Sequence, residues 1–402
     1  MNTIKERAAA IAAAAQKLNS AVYNASNDHG KITEARTVAQ QHSPKLVSLE
    51  EAIKQSGLKD GMTISFHHHF RGGDKVVNLV VGKLAEMGFK NLHLAASSLL
   101  DTHEPLIEHI KNGVITQIST SGLRGELARQ ISLGLMENPV VFRSHGGRGA
   151  AIAKGELHID VAFLGASSSD PLGNACGYSR SENAQSICGS LGYALPDAEY
   201  ADKVVILTDD LVNYPNTPAS ISERYVDYVV QVDSVGDSSK IASGAIRDTK
   251  NPRDILLAKQ AAKVIEHSGY LTPGFSIQTG SGGASLAVVK YLRNAMVEQN
   301  IKASFALGGI TAHMVKLHEE GLIERLIDVQ SFDKVAAESL KNDAMHQEVS
   351  ACEYASPDEP GSAVHYLDIV ILSALEADVN FNVNVLVGSD GIIRCLLYTS
   401  DA

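Results

Sequence analysis

Residues 61–97 read GMTISFHHHFRGGDKVVNLVVGKLAEMGFKNLHLAAS, and the spacing of apolar residues in this stretch decides the fold class. GMTISFHHHF is rich in β-formers and alternates, which predicts a strand. KVVNLVVGKLAEMGF has apolar residues at helical spacing, and NLHLAAS predicts a second strand. Strand, glycine turn, helix and strand make a βαβ unit, which demands a parallel sheet. Just upstream, VSLEEAIKQSG (Val47 to Gly57) predicts a helix stopped by Gly57.

The same order recurs later in the chain. GFSIQTGSGG (Gly274 to Gly283) predicts a strand and a glycine-rich turn, ASLAVVKYLRNAMVEQ (Ala284 to Gln299) a helix, and KASFALGGI (Lys302 to Ile310) a strand with a second glycine turn. A period of roughly 200 residues is far too long for a solenoid and points to a duplicated α/β domain. Between the copies, DYVVQVDSVGD (Asp227 to Asp237) predicts a last strand and its exit loop. RDTKNPRDILLAKQAAKVIEHSG (Arg247 to Gly269) predicts a helix leading into the second copy. The boundary is expected near Gly236.

Composition limits the function. The chain has 402 residues, 44 % hydrophobic and 20 % charged, with a formal net charge of −11. That is an ordinary globular balance, and its acidity argues against nucleic acid as a partner. An anionic substrate has to be met locally, by arginine, lysine or backbone N–H groups. Cys176, Cys188, Cys352 and Cys395 form no CxxC pair, so neither a disulfide framework nor a cysteine zinc site is expected, and a reducing, cytoplasmic setting is. Residues 8–15, AAAIAAAA, resemble a weak signal-peptide core, but alanine is barely hydrophobic and Gln16-Lys17 cut the run short. An exposed alanine-rich helix is the better reading. No run of about 20 apolar residues predicts a membrane span.

Five stretches carry candidate chemistry. In the first, His67 and His69 would share a face of a strand, and Arg71-Gly72-Gly73 would frame a ligand at the following helix N-terminus; the plain alternative is a tight turn with solvated histidines. No metal is needed there. FRSHGGRGA (Phe142 to Ala150) offers Arg143, Ser144, His145, Gly146, Gly147 and Arg148, a set that suits phosphate or carboxylate, or else a polar loop. Ser167-Ser168-Ser169-Asp170 follow an apolar strand, and their hydroxyls suit a pantetheine or carboxylate pocket, with no triad partners in view. Gly280-Ser281-Gly282-Gly283 open directly from a strand into a helix and suit an anion or oxyanion. This loop is neither a Walker A loop nor a dinucleotide fingerprint. Glu376, near a strand end and followed by a second strand in FNVNVLVG, is a candidate base, nucleophile or orienting carboxylate, against the alternative of a solvated loop glutamate. Ser181-Glu182-Asn183 invites comparison with a motif of covalent CoA-transferases, but it sits in a polar loop rather than after an apolar strand.

Read in order, ISFHHHFRGGD, TSGLRGELA, SHGGR, DVAFLGASSSDPLGNA, GFSIQTGSGGASLAV, FALGGIT, LIDVQSFD and FNVNVLVGSDGIIR resemble the citrate lyase α-subunit family, from about Leu49 to Arg394. The resemblance implies an α/β fold of two tandem CoA-transferase-like (NagB/RpiA-type) domains with mainly parallel sheets, the second truncated. The expected organisation is a helical lead-in at 1–45, a first domain at 46–236, an incomplete second domain at 237–394 and a non-family tail at 395–402. Part of the second domain's apolar surface would then be uncovered. The resemblance implies a citrate CoA-transferase: citrate displaces acetate from an acetyl thioester, with citramalate transfer or a related acyl-CoA transferase or hydrolase as alternatives. It implies a γ acyl carrier partner bearing a phosphoribosyl-dephospho-CoA group, with CoA thioesters as surrogates, and a β lyase partner. By this resemblance Arg71, Gly72 and Gly73, residues 144–148, residues 280–283, Gly308 and Gly309 would bind substrate. FALGGIT lacks the carboxylate of the covalent transferases, which leaves Glu376 as the preferred catalytic carboxylate.

Overall fold

The structure is a computed structural model that describes residues 44–393 except 183, 243–248 and 281. The expected N-terminal helix, Asn183, Ser281 and the tail at 395–402 lie outside the described residues.

Helix α1 (Leu49–Ser56) starts from a Ser48–Glu51 capping box and stops at Gly57, whose φ of 75° is left-handed. The strand, helix and strand read from the sequence are β1 (Thr63–Phe66), α2 (Val76–Glu86) and β2 (Leu92–Ala96). Then come α3 (Leu106–Lys111), β3 (Ile115–Thr120), α4 (Gly125–Ser132), β4 (Val141–Phe142), α5 (His145–Ala153) and β5 (Val161–Ala166). A small hairpin of β6 (Ser168–Ser169) and β7 (Ala175–Cys176), helix α6 (Leu195–Tyr200), and strands β8 (Lys203–Thr208) and β9 (Tyr228–Gln231) complete this half. Its sheet has the order β4-β3-β2-β1-β5-β8-β9 with every pairing parallel. Both faces of such a sheet are covered, which is why β5, VAFLGA, is buried at every residue.

The second half runs α7 (Pro252–His267), β10 (Ser276–Thr279), α8 (Gly283–Gln299), β11 (Phe305–Ile310), α9 (Ala312–Glu319), β12 (Leu326–Ser331), α10 (Lys334–Asn342), β13 (His346–Glu348), α11 (Ala351–Ala355) and β14 (Ile369–Ile371). Its parallel sheet has the order β13-β12-β11-β10-β14. Each sheet therefore reverses its strand order once, between β1 and β5 in the first and between β10 and β14 in the second. The carboxyl ends of the strands at such a reversal form a crevice where open α/β sheets bind ligands. The two loops singled out in the sequence, 67–73 and 280–283, begin at those two crevices.

A separate apolar cluster joins the halves. Tyr193 of the first packs with Phe305, Leu307, Ile327, Val329, Ala351, Tyr354 and Ala355 of the second.

Four local expectations are corrected. Strand β1 ends at Phe66, so the histidines follow the strand rather than finish it. Gly308 and Gly309 do not make a turn: they lie inside β11, where the pairing with β12 slips between them at a Gly308 φ of 97°. SHGGR is not a loop: Ser144 caps α5 by accepting the Gly147 N–H at 2.9 Å, and the glycine pair forms the first turn. FNVNVLVG contributes only the short strand β16 (Val383–Asn384), paired with β15 (Glu376–Ala377). That hairpin carries Val379 and Phe381 at 94 % and 89 % exposure.

The close approach of the halves rests on glycine. A Cβ on Gly146 would stand 1.8 Å from the Ala355 carbonyl oxygen, and one on Gly192 would stand 2.2 Å from the Val349 carbonyl oxygen. Gly146→Ala is expected to cost about 2–3 kcal/mol by forcing α5 and α11 apart, a fall in Tm of roughly 5–10 °C. Gly82→Ala, in open space on α2, should leave Tm level or raise it. A melt in which the two variants behave alike would contradict this account of the seam.

Candidate functional site

The loops that leave β1, β2, β3 and β4 meet at the carboxyl edge of the first sheet. They carry His67-His68-His69, Ser97, Arg124 and His145. His67 is 6 % exposed, His68 and His69 are 0 %, and His145 is 2 %, so these are not solvated turn residues. The His67 and His69 rings meet at a tilt of 50° with centroids 3.7 Å apart. His68 lies flat on Tyr193 at 5.4 Å, and His145 packs against the same ring at 4.6 Å. Ser97 Oγ accepts the His68 backbone N–H at 3.0 Å and sits 2.6 Å from Nδ1 of its ring, which fixes the ring's orientation. Asp74 accepts the Val77 N–H and lies 3.0 Å from His103 Nε2, anchoring the far end of the Arg71-Gly72-Gly73 turn.

Electrostatics hold this cluster in one state. Burial, followed by the Arg148 guanidinium, pushes His67 down to about 3 from its ordinary 6.5. Burial, then His145, Arg71, His67 and Arg124, push His68 well below its ordinary range. His67 and His68 are therefore neutral at pH 7, and the fixed charges around them are the guanidiniums.

The second half closes the site. Gln330, on β12, donates from Nε2 to the His68 carbonyl at 2.8 Å. The Arg71 guanidinium lies 4.3 Å over the Phe332 ring, the same ring that packs against Gly309. Gln278, on β10, donates to the Tyr354 hydroxyl at 2.6 Å, and Tyr354 meets Tyr193 edge-on at 6.5 Å. The pairing of β10 with β11 runs to Gln278↔Leu307, at the carboxyl edge of the second sheet. Arg71 and His68 of the first half and Gln330, Phe332 and Tyr354 of the second thus border one seam. Four buried side-chain atoms there have no hydrogen-bond partner among the described residues: Gln278 Oε1, Thr279 Oγ1, Thr311 Oγ1 and Gln330 Oε1. Natural interiors leave few such atoms unmatched, and a concentration of them marks a place for a polar ligand. Helix α8, of 17 residues, starts from Gly282 with no side chain capping its amides. A helix start of this kind favours an anion.

Not every residue expected at the site is available to a ligand. Arg148 forms a buried fork on Asp197, at 2.8 Å from both nitrogens, and donates to Ser65 Oγ at 2.7 Å. It is tied to the protein. The Gly280 N–H is spent on the Ile371 carbonyl, so the free amides belong to the helix turn that follows. Ser168 and Ser169 donate their hydroxyls to the Tyr178 and Asp170 carbonyls, and Asp170 gathers three backbone N–H groups of its own turn; these residues shape a loop. Glu376 is exposed on the β15–β16 hairpin. Its carboxylate accepts Asn384 Nδ2 and the Ser389 N–H, and these bonds hold its pKa below the ordinary value. The structure does not bring it to the histidine cluster. Arg124 and Tyr193 are members that the sequence reading missed. Arg124 lies within TSGLRGELA, and its position just after the β3 loop was the available signal; nothing local marks Tyr193.

The model of the family described as citrate lyase, alpha subunit (CitF), matches residues 43–398. The chain is 62 % identical over 347 residues to the citrate lyase alpha chain of Haemophilus influenzae, covering 86 % of this chain and 69 % of that one. It is equally identical over the same length to the citrate lyase alpha chain of Klebsiella pneumoniae, covering 68 % of it. Among solved structures, a Streptococcus mutans protein described as the alpha subunit of citrate lyase in complex with citrate superposes with a TM-score of 0.85 at 56 % identity, covering 90 % of this chain and 71 % of that one. A Pseudomonas malonate decarboxylase hetero-tetramer solved with malonate superposes at 0.65 and 16 % identity, over 88 % of this chain and 64 % of the other, a likeness of fold alone.

The neutral His67 makes stability fall with acid. Below 6.5 the unfolded chain takes up a proton there that the folded protein refuses until about 3. Stability is complete above 6.5 and is lost as pH drops, by about 1.4 kcal/mol per pH unit for this residue. In urea titrations, His67→Gln should shallow the loss between pH 6.5 and 4.5 by about 2–3 kcal/mol. Parallel acid limbs for the variant and the parent would show that His67 is not buried neutral.

Proposed function

The chain belongs to the citrate lyase α-subunit family, and from that premise we propose that it is the citrate CoA-transferase component of the lyase, exchanging acetate for citrate on a carrier-protein thioester. In this reading a carboxylate of citrate attacks the acetyl thioester carbonyl, a C–O bond forms, the C–S bond breaks, and a mixed anhydride and a thiolate result. The thiolate then attacks the citryl carbonyl of the anhydride, C–S forms, C–O breaks, and acetate leaves. Atoms and charge balance without an outside base, oxidant or metal.

The residues suit these demands. Citrate brings carboxylates, and Arg71 and Arg124 supply fixed positive charge beside imidazoles that stay neutral and so offer N–H groups as well as ring nitrogens. Each tetrahedral step gathers negative charge on an oxygen, and the uncapped start of α8 at Gly282–Gly283 supplies amides for it. The unmatched Gln278, Thr279, Thr311 and Gln330 atoms have the polarity to position the remaining hydroxyl and carboxylate groups. A phosphoribosyl-dephospho-CoA group on the γ acyl carrier partner would supply the thiol, with CoA thioesters as surrogates in assays, and the β lyase partner would cleave the citryl thioester. The reading sets the reaction in the cytoplasm. No helix among the described residues is long and apolar enough to cross a membrane.

The observation that carries the proposal is the seam itself: guanidiniums, neutral imidazoles and unmatched polar atoms from both halves, at two strand-order reversals. The test is an exchange assay with acetyl-loaded carrier protein, in which acetate release is followed as citrate is added. Release should depend on citrate and saturate. Citramalate, which lacks one carboxylate, should need a higher concentration. Arg124→Ala should raise the KM for citrate about tenfold or more with Tm unchanged. Acetate release indifferent to citrate, or an Arg124→Ala enzyme with the parent KM, would overturn the reading.

A further inference from the structure

The strands of the second sheet have two faces. Phe305 and Leu307 of β11 turn to the seam, whereas Ala306 and Ile310 turn to the core beneath α8 and α9. Outside that helical layer lies a second cavity of about 640 Å3, between α7, α8 and α9. Its size is that of a small-molecule site. Its floor is apolar, with Ile255 of α7 and Ala287 of α8 presented to the cavity over the buried Leu286, Val289 and Leu317. Its mouth is basic. Lys290 projects from α8 and Lys316 from α9, and neither ammonium group makes a hydrogen bond or ion pair among the described residues. His313 stands one turn before Lys316 on the same helix, and the Arg293–Glu320 pair, at 2.5 Å, closes one end. The half-buried ring of Tyr291 forms part of the wall.

An acidic protein, with a net charge of −11, here points two unpaired ammonium groups from different helices over one apolar floor. Together they reverse the sign of the local field on an acidic surface and favour an anion at the mouth. A compact anion would use the mouth and leave the floor wet, so the cavity calls for a body with an apolar or aromatic face and a chain of negative charge. We infer that this pocket is a binding site for a nucleoside polyphosphate, with the base against Ile255, Ala287 and Tyr291 and the phosphates between Lys290 and Lys316. The site is independent of the proposed exchange chemistry and has no citrate-binding role.

Calorimetric titration of the full chain with ATP tests this, using a Lys290→Glu/Lys316→Glu double variant and a milder Lys290→Gln/Lys316→Gln variant, each checked for an unchanged Tm. ATP should saturate with Kd below about 1 mM, and the charge-reversed protein should bind at least about tenfold more weakly. Adenosine alone should give no saturable signal, tripolyphosphate should bind more weakly than ATP, and citrate should not compete. Both variants should keep the parent's acetate release in the absence of nucleotide. ATP without saturable binding, variants with the parent affinity, tripolyphosphate as tight as ATP, or displacement by citrate would each overturn the assignment, and none of these results depends on whether the exchange reaction is found.

Discussion

Desolvation at the seam between the two sheets is the constraint on which the rest of the molecule depends. His68 has 0 % exposure because a strand 262 residues away reaches it: Gln330 bonds its carbonyl, Tyr193 covers its ring, and Tyr354 backs Tyr193. Remove the second half and His68 would lose the Gln330 bond and the Tyr354 support, and an imidazole brought toward water takes on charge more readily as pH falls. With the second half in place it stays neutral, and the guanidiniums around it lose solvent screening. A charge in such a place acts far more strongly than one on a surface. The chemistry at the seam therefore belongs to neither half alone. It arises from the way the two are pressed together.

That pressing has a packing cost that glycine relieves. Where α5 meets α11 and where the Gly192 turn meets the Val349 carbonyl, no side chain fits. The buried Arg148–Asp197 fork, shared with Ser65, ties α5 to α6 and to β1 inside the first half. Breaking one partner of such a pair leaves an uncompensated buried charge, which costs far more than the pair contributes. The N-terminal turn of α5, which presents His145, is thus held from both sides, by the fork within its own half and by Ala355 across the seam. A cluster so held presents the same atoms to each ligand, which is what positions groups for reaction.

The fold was legible because periodicity is a local signal. Each βαβ unit announced itself within about 35 residues, and the two copies had to be parallel and doubly covered. The candidate site was legible in its loops and illegible in its burial. A solvated histidine turn stood as the plain alternative to a ligand-framing one because the residues that bury it come from β12 and from the 190–193 loop. Arg148 looked available for a ligand because Asp197, its partner, lies 49 residues on. Gly308 and Gly309 look like a turn in isolation. In the sheet they form a bulge that makes room for Gln278, Tyr354 and Phe332. Tyr193 could not be found at all, since an aromatic residue after a glycine in a polar loop carries no pattern. Glu376 was placed near a strand end correctly, but a two-residue hairpin exposed to water gives a carboxylate no reason to act as a base: its hydrogen bonds favour the ionised form.

The same reasoning separates the two positive regions of this acidic chain. At the seam, positive charge is buried, rigid and crossed by aromatic rings, so a small polycarboxylate gains from every guanidinium it reaches and from the absence of competing water. On the outer helices, Lys290 and Lys316 keep their hydration and their rotamers, and their attraction to an anion is screened by salt. A ligand held there must add apolar contact to remain bound. Two anions of different shape are therefore sorted by environment rather than by charge count: the compact, multiply ionised acid to the desolvated cleft, the large amphipathic one to the greasy floor beneath the lysines. The overall negative field repels both at a distance, so each is drawn in only where the local sign reverses.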